Sequence, residues 1–155
     1  MENYTINDIR NVVVVAHSGA GKTSLIEALL FNSGANTRLG SVANGTSMCD
    51  YNPDEIERKI TINSKFLNLT WNNKRINLVD TPGYADFIGD MIGALRAVDS
   101  GIVIVDAVGG LEVGTERVWD FLEQNNLPRI IFISKLDKEN TNFLTTVTSI
   151  QDIFG

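Results

Sequence analysis

Val12-Val13-Val14-Val15-Ala16-His17-Ser18-Gly19-Ala20-Gly21-Lys22-Thr23 is the stretch on which the fold turns. Its first five residues form an apolar, mostly β-branched run bounded by polar Asn11, which predicts a strand buried on both faces, as in parallel sheets. Ala16–Thr23 fits the phosphate-loop pattern with Ala in place of the leading Gly. Beyond it Leu25, Ile26, Leu29 and Leu30 recur at helical spacing and Gly34 supplies a stop, so a helix is predicted over Lys22–Ser33. A strand, a glycine loop and a helix in that order are the context the pattern needs.

The chemistry of such a loop is specific. Gly19 and Gly21 allow backbone N–H groups to turn inward on phosphate oxygens, the helix N-terminus adds its positive end, and Lys22 reaches the β and γ oxygens. Thr23 places a hydroxyl on a magnesium ion. His17, Ser18, Gly19, Ala20, Gly21, Lys22, Thr23 and Ser24 are therefore the candidate phosphate-binding residues. A single histidine at a strand end is commonly structural, and His17 is given no catalytic role.

The remaining chain alternates strand and helix. Gly34–Lys59 is polar and irregular, about twice the length at which structureless loops become uncommon, so it reads as a functional or mobile loop, ordered by γ-phosphate and magnesium. Ile62–Trp71 and Lys74–Asp80 flank Asn72–Asn73 and predict a hairpin whose antiparallel partner lies at the sheet edge. Then follow a helix around Asp86–Val98, a strand Gly101–Asp106, a helix Glu112–Asn126, a strand Arg129–Ser134 and a helix Asn142–Ile153. The fold class is α/β: a phosphate-loop NTPase with a mostly parallel sheet, one antiparallel edge strand and helices on both faces.

Three further stretches carry chemistry. Asp80-Thr81-Pro82-Gly83 ends a predicted strand, where the Asp80 carboxylate can hold magnesium through water and the Gly83 N–H can sense a γ-phosphate. Taken alone it is only a good turn, and its weight comes from its place after the phosphate loop. Thr61, in Arg58-Lys59-Ile60-Thr61-Ile62, could add a second hydroxyl to magnesium and γ-phosphate. Ser134-Lys135-Leu136-Asp137 follows the last strand, where open sheets gather ligands. Asp137 can accept hydrogen bonds from two N–H groups found together on guanine and not on adenine, while the Lys135 stem packs on the base. Elsewhere such a Lys and Asp would read as a solvated loop pair.

Composition sets limits. With 155 residues, 43% of them hydrophobic and 21% charged, one compact domain is expected. Thirteen basic against 19 acidic side chains leave a net charge of −6, which argues against binding nucleic acid by bulk electrostatics. Cys49 is the sole cysteine, so no internal disulfide can form and a cytoplasmic location is expected. The longest apolar run is far below membrane-spanning length, and neither a membrane anchor nor an export signal is expected.

Taken in order, these stretches resemble the nucleotide-binding domain of a translational GTPase, in particular elongation factor G and its paralogues. Ala16–Thr23, Arg58–Ile62 and the Asp-Thr-Pro-Gly-x-x-Asp-Phe run Asp80–Phe87 look like that family's hallmarks, and the likeness covers nearly the whole chain. It implies GTP and GDP as ligands with Mg2+; Thr23, Thr61 and Asp80 at the metal; and Lys22, Thr61, Gly83 and Tyr84 as the catalytic group. Ser134, Lys135 and Asp137 would surround the base. The implied role is GTP-driven translocation by a monomer that meets the ribosome through downstream domains, with residues 1–155 as an incomplete GTP-binding domain.

Three positions depart from the family pattern. Tyr84 stands where relatives place the histidine that positions the attacking water, which implies altered or slower hydrolysis. Gly19 replaces an acidic residue and removes a ligand for an additional monovalent cation. Ser134 replaces an asparagine that braces the phosphate loop, implying weaker affinity, and the Ser-Ala motif that completes the guanine pocket is not found. Alternative readings are a weakly hydrolysing switch of a ribosome-protection or release-factor-like paralogue, or an ATP-using phosphate-loop protein, which nucleotide competition would separate.

Overall fold

The computed structural model describes residues 4–84 and 88–155, with the backbone alone for Ile88. Among the described residues five strands form one sheet in the order β2-β3-β1-β4-β5. They are β1 (Ile9–Val15), β2 (Lys65–Trp71), β3 (Lys74–Asp80), β4 (Ser100–Asp106) and β5 (Arg129–Ser134). All pairings are parallel except β2 with β3, so the antiparallel strand lies at the edge as the hairpin reading requires. Asn72 and Asn73 both carry positive φ, 47° and 58°, the backbone that a tight two-residue hairpin needs and that asparagine tolerates.

The helices are α1 (Lys22–Asn32), α2 (Pro53–Arg58), α3 (Ile88–Leu95), α4 (Val113–Gln124) and α5 (Phe143–Phe154). The central strands are buried on both faces because helices cover both, and two apolar clusters result. Val13, Val15 and Val103 point to the side where Leu95, Val118 and Leu122 pack. Val14, Leu78 and Ile104 point to the other, against Ile26 and Leu30 of α1. Trp119 of α4 stacks on Phe154 of α5 at 4.2 Å, and the Arg129 guanidinium lies 4.0 Å from the Trp119 ring.

Differences from the sequence reading have local causes. The stretch read as one irregular loop contains α2, with Pro53 in its first turn and a reciprocal capping box between Asn52 and Glu55. The helix ends on Lys59 at φ 56°, a left-handed position usually filled by glycine. β2 starts at Lys65 rather than Ile62, because the Ile62 and Asn63 amides donate to the Glu55 carboxylate instead of to a strand neighbour. Glu112 and Asn142, read as helical, are N-caps, and the Asn142 side chain accepts from the Thr145 amide. Asp86 and Phe87, the end of the Asp-Thr-Pro-Gly-x-x-Asp-Phe run and the start of the second predicted helix, lie outside the described residues.

The parallel register brings the chemistry to one edge. Val14 pairs with Asp80, and Asp106 with Ser134, so the carboxyl ends of β1, β3, β4 and β5 finish side by side. Thr81 donates to the Val14 carbonyl at 2.8 Å and ties the chain beyond Asp80 to β1.

Candidate functional site

The loop after β1 enters α1 through Gly21, whose φ of 99° only glycine adopts without strain. The Lys22 ammonium folds back on its own loop, donating to the carbonyls of Ala16 at 3.2 Å and His17 at 3.0 Å. Burial lowers the Lys22 pKa to about 8, while the Asp80 and Asp50 carboxylates pull in the opposite direction. Gly83 is required for space rather than for backbone conformation. A Cβ there would lie 2.8 Å from the Ser18 Cα and 2.9 Å from its nitrogen, and would collide with the Lys22 ammonium. The turn after β3 therefore rests directly on the phosphate loop.

Thr23, at the start of α1, donates to Asp80 Oδ2 at 2.8 Å and lies 3.1 Å from the Thr61 hydroxyl. Thr61 in turn donates to Asp50 Oδ1 at 2.9 Å. Two hydroxyls from distant parts of the chain thus meet between two carboxylates, all four buried. Among the described residues Asp80 Oδ1 and Asp50 Oδ2 find no hydrogen-bonding partner despite full burial. Burial raises the Asp80 pKa to about 7, against the Thr23 hydrogen bond and the Lys22 charge. It also raises that of Asp50, against the Thr61 hydrogen bond, and the neighbouring Glu55 and Glu27 charges push the same way. Two carboxylates with free oxygens and two hydroxyls fit a small oxygen-loving dication that retains waters, and such an ion would offset the burial that disfavours their ionised forms. Among the described residues no group of three or more His, Cys, Asp or Glu side chains offers another metal centre.

Gly21, Lys22, Thr23, Asp50, Thr61 and Gly83 line a cavity of about 260 Å³ together with Ser18, Gly19, Ser24, Lys59, Ile60 and Tyr84. Tyr84 also borders a second cavity of about 370 Å³, where His17 meets Glu112 at 2.9 Å. A larger apolar groove on the α1 face, about 430 Å³ and bordered by Leu69, Ile76 and Ile102, carries no comparable polar cluster.

The loop after β5 sits beside the phosphate loop without lining that cavity. Ser134 donates to the Ala20 carbonyl at 2.8 Å, so it braces the phosphate loop with a side chain shorter than asparagine. Lys135, at φ 58°, pairs with Asp106 Oδ2 at 2.5 Å. Burial would raise the Asp106 pKa, but Lys135 and the Val108 and Gly109 amides together hold it below the usual carboxylate value. Asp137 is exposed and has Lys138 as a 3.6 Å neighbour.

Residues 7–154 match the protein family described as the elongation factor Tu GTP binding domain. The chain belongs to that family. It is a GTP-binding domain of the kind found in translational GTPases. It is 41% identical over 150 residues to mitochondrial ribosome-releasing factor 2 of Candida dubliniensis, covering 97% of this chain and 19% of that protein. It is also 41% identical over 147 residues to the elongation factor G-like protein of Mycobacterium tuberculosis, covering 95% of this chain and 21% of that one. A crystal structure of a Thermus thermophilus protein superposes with a TM-score of 0.89 at 40% identity, over 93% of this chain and 22% of its own. The chain spans about a fifth of the length of these curated relatives.

For this GTP-binding domain the cytoplasmic expectation is overturned, since the ribosome-releasing factors it matches are mitochondrial by name. A lone cysteine excludes an internal disulfide and says nothing more about compartment. Among the described residues no helix is long and apolar enough to cross a membrane. Sequence reasoning missed Asp50, Glu55 and Asp106. Asp50 and Glu55 sat in polar text with no periodicity. Asp106 ends a buried strand shortly before a glycine-containing turn, and that position, shared with Asp80 and Ser134, was the available signal.

Proposed function

We propose that this chain is the GTP-hydrolysing switch of a ribosome-releasing type of translational GTPase, converting GTP and water to GDP and phosphate. The observation that carries this reading is the meeting of Thr23, Thr61, Asp80 and Asp50, with Gly83 packed on Ser18. The backbone amides of residues 18–23 and the Lys22 ammonium bind and orient the phosphates, and Ser24 extends the wall of the site. Thr23, Thr61, Asp80 and Asp50 would hold Mg2+, which would supply positive charge against the negative charge that develops on the phosphate oxygens.

Gly83, through its N–H, and Thr61 detect the γ-phosphate, and its departure frees both segments. Ser134 supports the loop, the Lys135 stem lies on the base and Asp137 selects guanine. Tyr84 offers one hydroxyl to the attacking water in place of an imidazole, so turnover by the domain alone is slow and the ribosome supplies the remaining geometry. The ribosome-releasing reading is favoured over a translocating elongation factor because relatives named ribosome-releasing factor 2 match at 40–43% identity.

The test is phosphate release from GTP by the full chain, with and without ribosomes, for wild type and Tyr84→His. The expected result is ribosome-stimulated release that rises in the Tyr84→His variant. GTP binding with no stimulated release would leave a binding switch only, and equal rates in the two proteins would remove Tyr84 from the mechanism.

A further inference from the structure

Glu27 sits on the inner face of α1 and is almost wholly buried, 1% exposed, with no cationic side chain in salt-bridge contact among the described residues. A buried carboxylate in that position is costly unless donors surround it. Its donors all come from one segment. Oε1 accepts from the Ser47 hydroxyl at 2.6 Å, the Met48 amide at 2.5 Å and the Cys49 amide at 3.3 Å. Oε2 has no hydrogen-bonding partner among the described residues and lies against Gly40, where a Cβ would overlap it. The Ser47 hydroxyl is itself the acceptor for the Cys49 and Asp50 amides at 3.0 and 3.3 Å, so the bonds on Glu27 continue to the residue that receives Thr61.

On the far side of Thr61 a second buried glutamate does the same work. Glu55 accepts from the Ile62 and Asn63 amides at 3.0 and 3.2 Å, and pairs with Lys65 at 2.9 Å. The segment carrying Asp50 and Thr61 is thus hung from two carboxylates, neither of which lines the phosphate cavity. Glu27 is the one that ties it to α1, the helix that begins with Lys22 and Thr23.

We propose that Glu27 is a positioning residue for the nucleotide reaction: by anchoring residues 47–49 it sets Asp50, and through it Thr61, against Thr23 and Asp80. This rests on the GTP-switch reading above. The segment it holds serves the metal and γ-phosphate, while the phosphate loop alone suffices for the α- and β-phosphates. Loss of the anchor therefore weakens GTP far more than GDP.

The experiment compares the full chain with Glu27→Ala, Glu27→Gln and Ser47→Ala. It measures GDP and non-hydrolysable GTP-analogue affinity in Mg2+, and hydrogen exchange at the Met48 and Cys49 amides without nucleotide. Glu27→Ala should weaken the analogue about tenfold and GDP less than about threefold, with faster exchange at both amides. Glu27→Gln keeps the accepting oxygen and should recover most of the analogue affinity. Ser47→Ala, which removes one donor and creates no large cavity, should show a smaller shift in the same direction and decides the matter if Glu27→Ala fails to fold. Equal losses for both nucleotides, an unchanged affinity ratio, or unchanged exchange would overturn the proposal. Wild-type protein that binds neither nucleotide would refute the switch reading, and the exchange data would still decide the anchor.

Discussion

Replacing Gly83 with alanine tests the contact between the turn after β3 and the phosphate loop. The new methyl would stand 2.8 Å from the Ser18 Cα and 2.9 Å from the Ser18 nitrogen, against about 3.4–4 Å for ordinary contact. Lys22 can swing aside, but the Ser18 backbone cannot yield without opening the loop. Residue 83 must therefore withdraw by roughly half an ångström or more, which lengthens a hydrogen bond of about 2.9 Å beyond useful range. A hydrogen bond to a charged phosphate contributes about 1.5–3 kcal/mol, so affinity for a GTP analogue should fall about 10- to 150-fold. GDP presents no γ-phosphate and should lose less than about threefold. Calorimetric titration of both nucleotides in Mg2+ measures this directly. Equal losses for GDP and the analogue would show that the methyl merely distorts the phosphate loop, and no loss would show that Gly83 does not contact the γ-phosphate.

Three other substitutions probe separate links. Lys59→Gly relieves a left-handed residue at the end of α2 and should raise stability by about 0.5–1 kcal/mol in urea denaturation; a loss would mean that Lys59 makes a compensating contact. Burial raises the Glu55 pKa, but Lys65 and the Ile62 and Asn63 amides outweigh it, so its folded-state value lies below 4.5. The carboxylate's contribution is then fully present above about pH 4.5 and fades as pH falls through the lower folded value. Glu55→Gln should flatten the acid side of the stability curve between those two values, and an unchanged curve would contradict the assignment. Asp50→Ala should raise the Mg2+ concentration needed for half-maximal analogue binding by about tenfold, and an unchanged requirement would remove Asp50 from the metal site.

The sequence made the sheet and the phosphate loop legible because both depend on local signals. Val12–Ala16 is apolar enough to be read as a doubly buried strand, Asn72–Asn73 can only be a tight turn between two strands, and Gly21-Lys22-Thr23 has a strong meaning between strand and helix. What stayed hidden depends on pairings across the chain. Glu27 stands between Ile26 and Ala28 in α1, and nothing local shows that its carboxylate turns inward to a segment 20 residues away. Asp50 looks like any acidic loop residue until Thr61 is brought to it. α2 is six residues long, too short for periodicity, although Asn52, Pro53 and Glu55 spell its cap. Ser134 has a short side chain, and only the three-dimensional structure shows that β5 runs close enough to Ala20 for its hydroxyl to reach.

The central claim is that the carboxyl edge of this sheet binds guanine nucleotides, and the most direct measurement is titration of the chain with GDP and ADP in Mg2+, beside Asp137→Asn with GDP and XDP. The account predicts GDP binding with ADP at least about 100-fold weaker, and a reversal of preference toward XDP in the variant, because a selective bidentate contact leaves the site's polar group unpaired with the wrong base. Comparable GDP and ADP affinities, or a variant that keeps its preference for GDP, would contradict it.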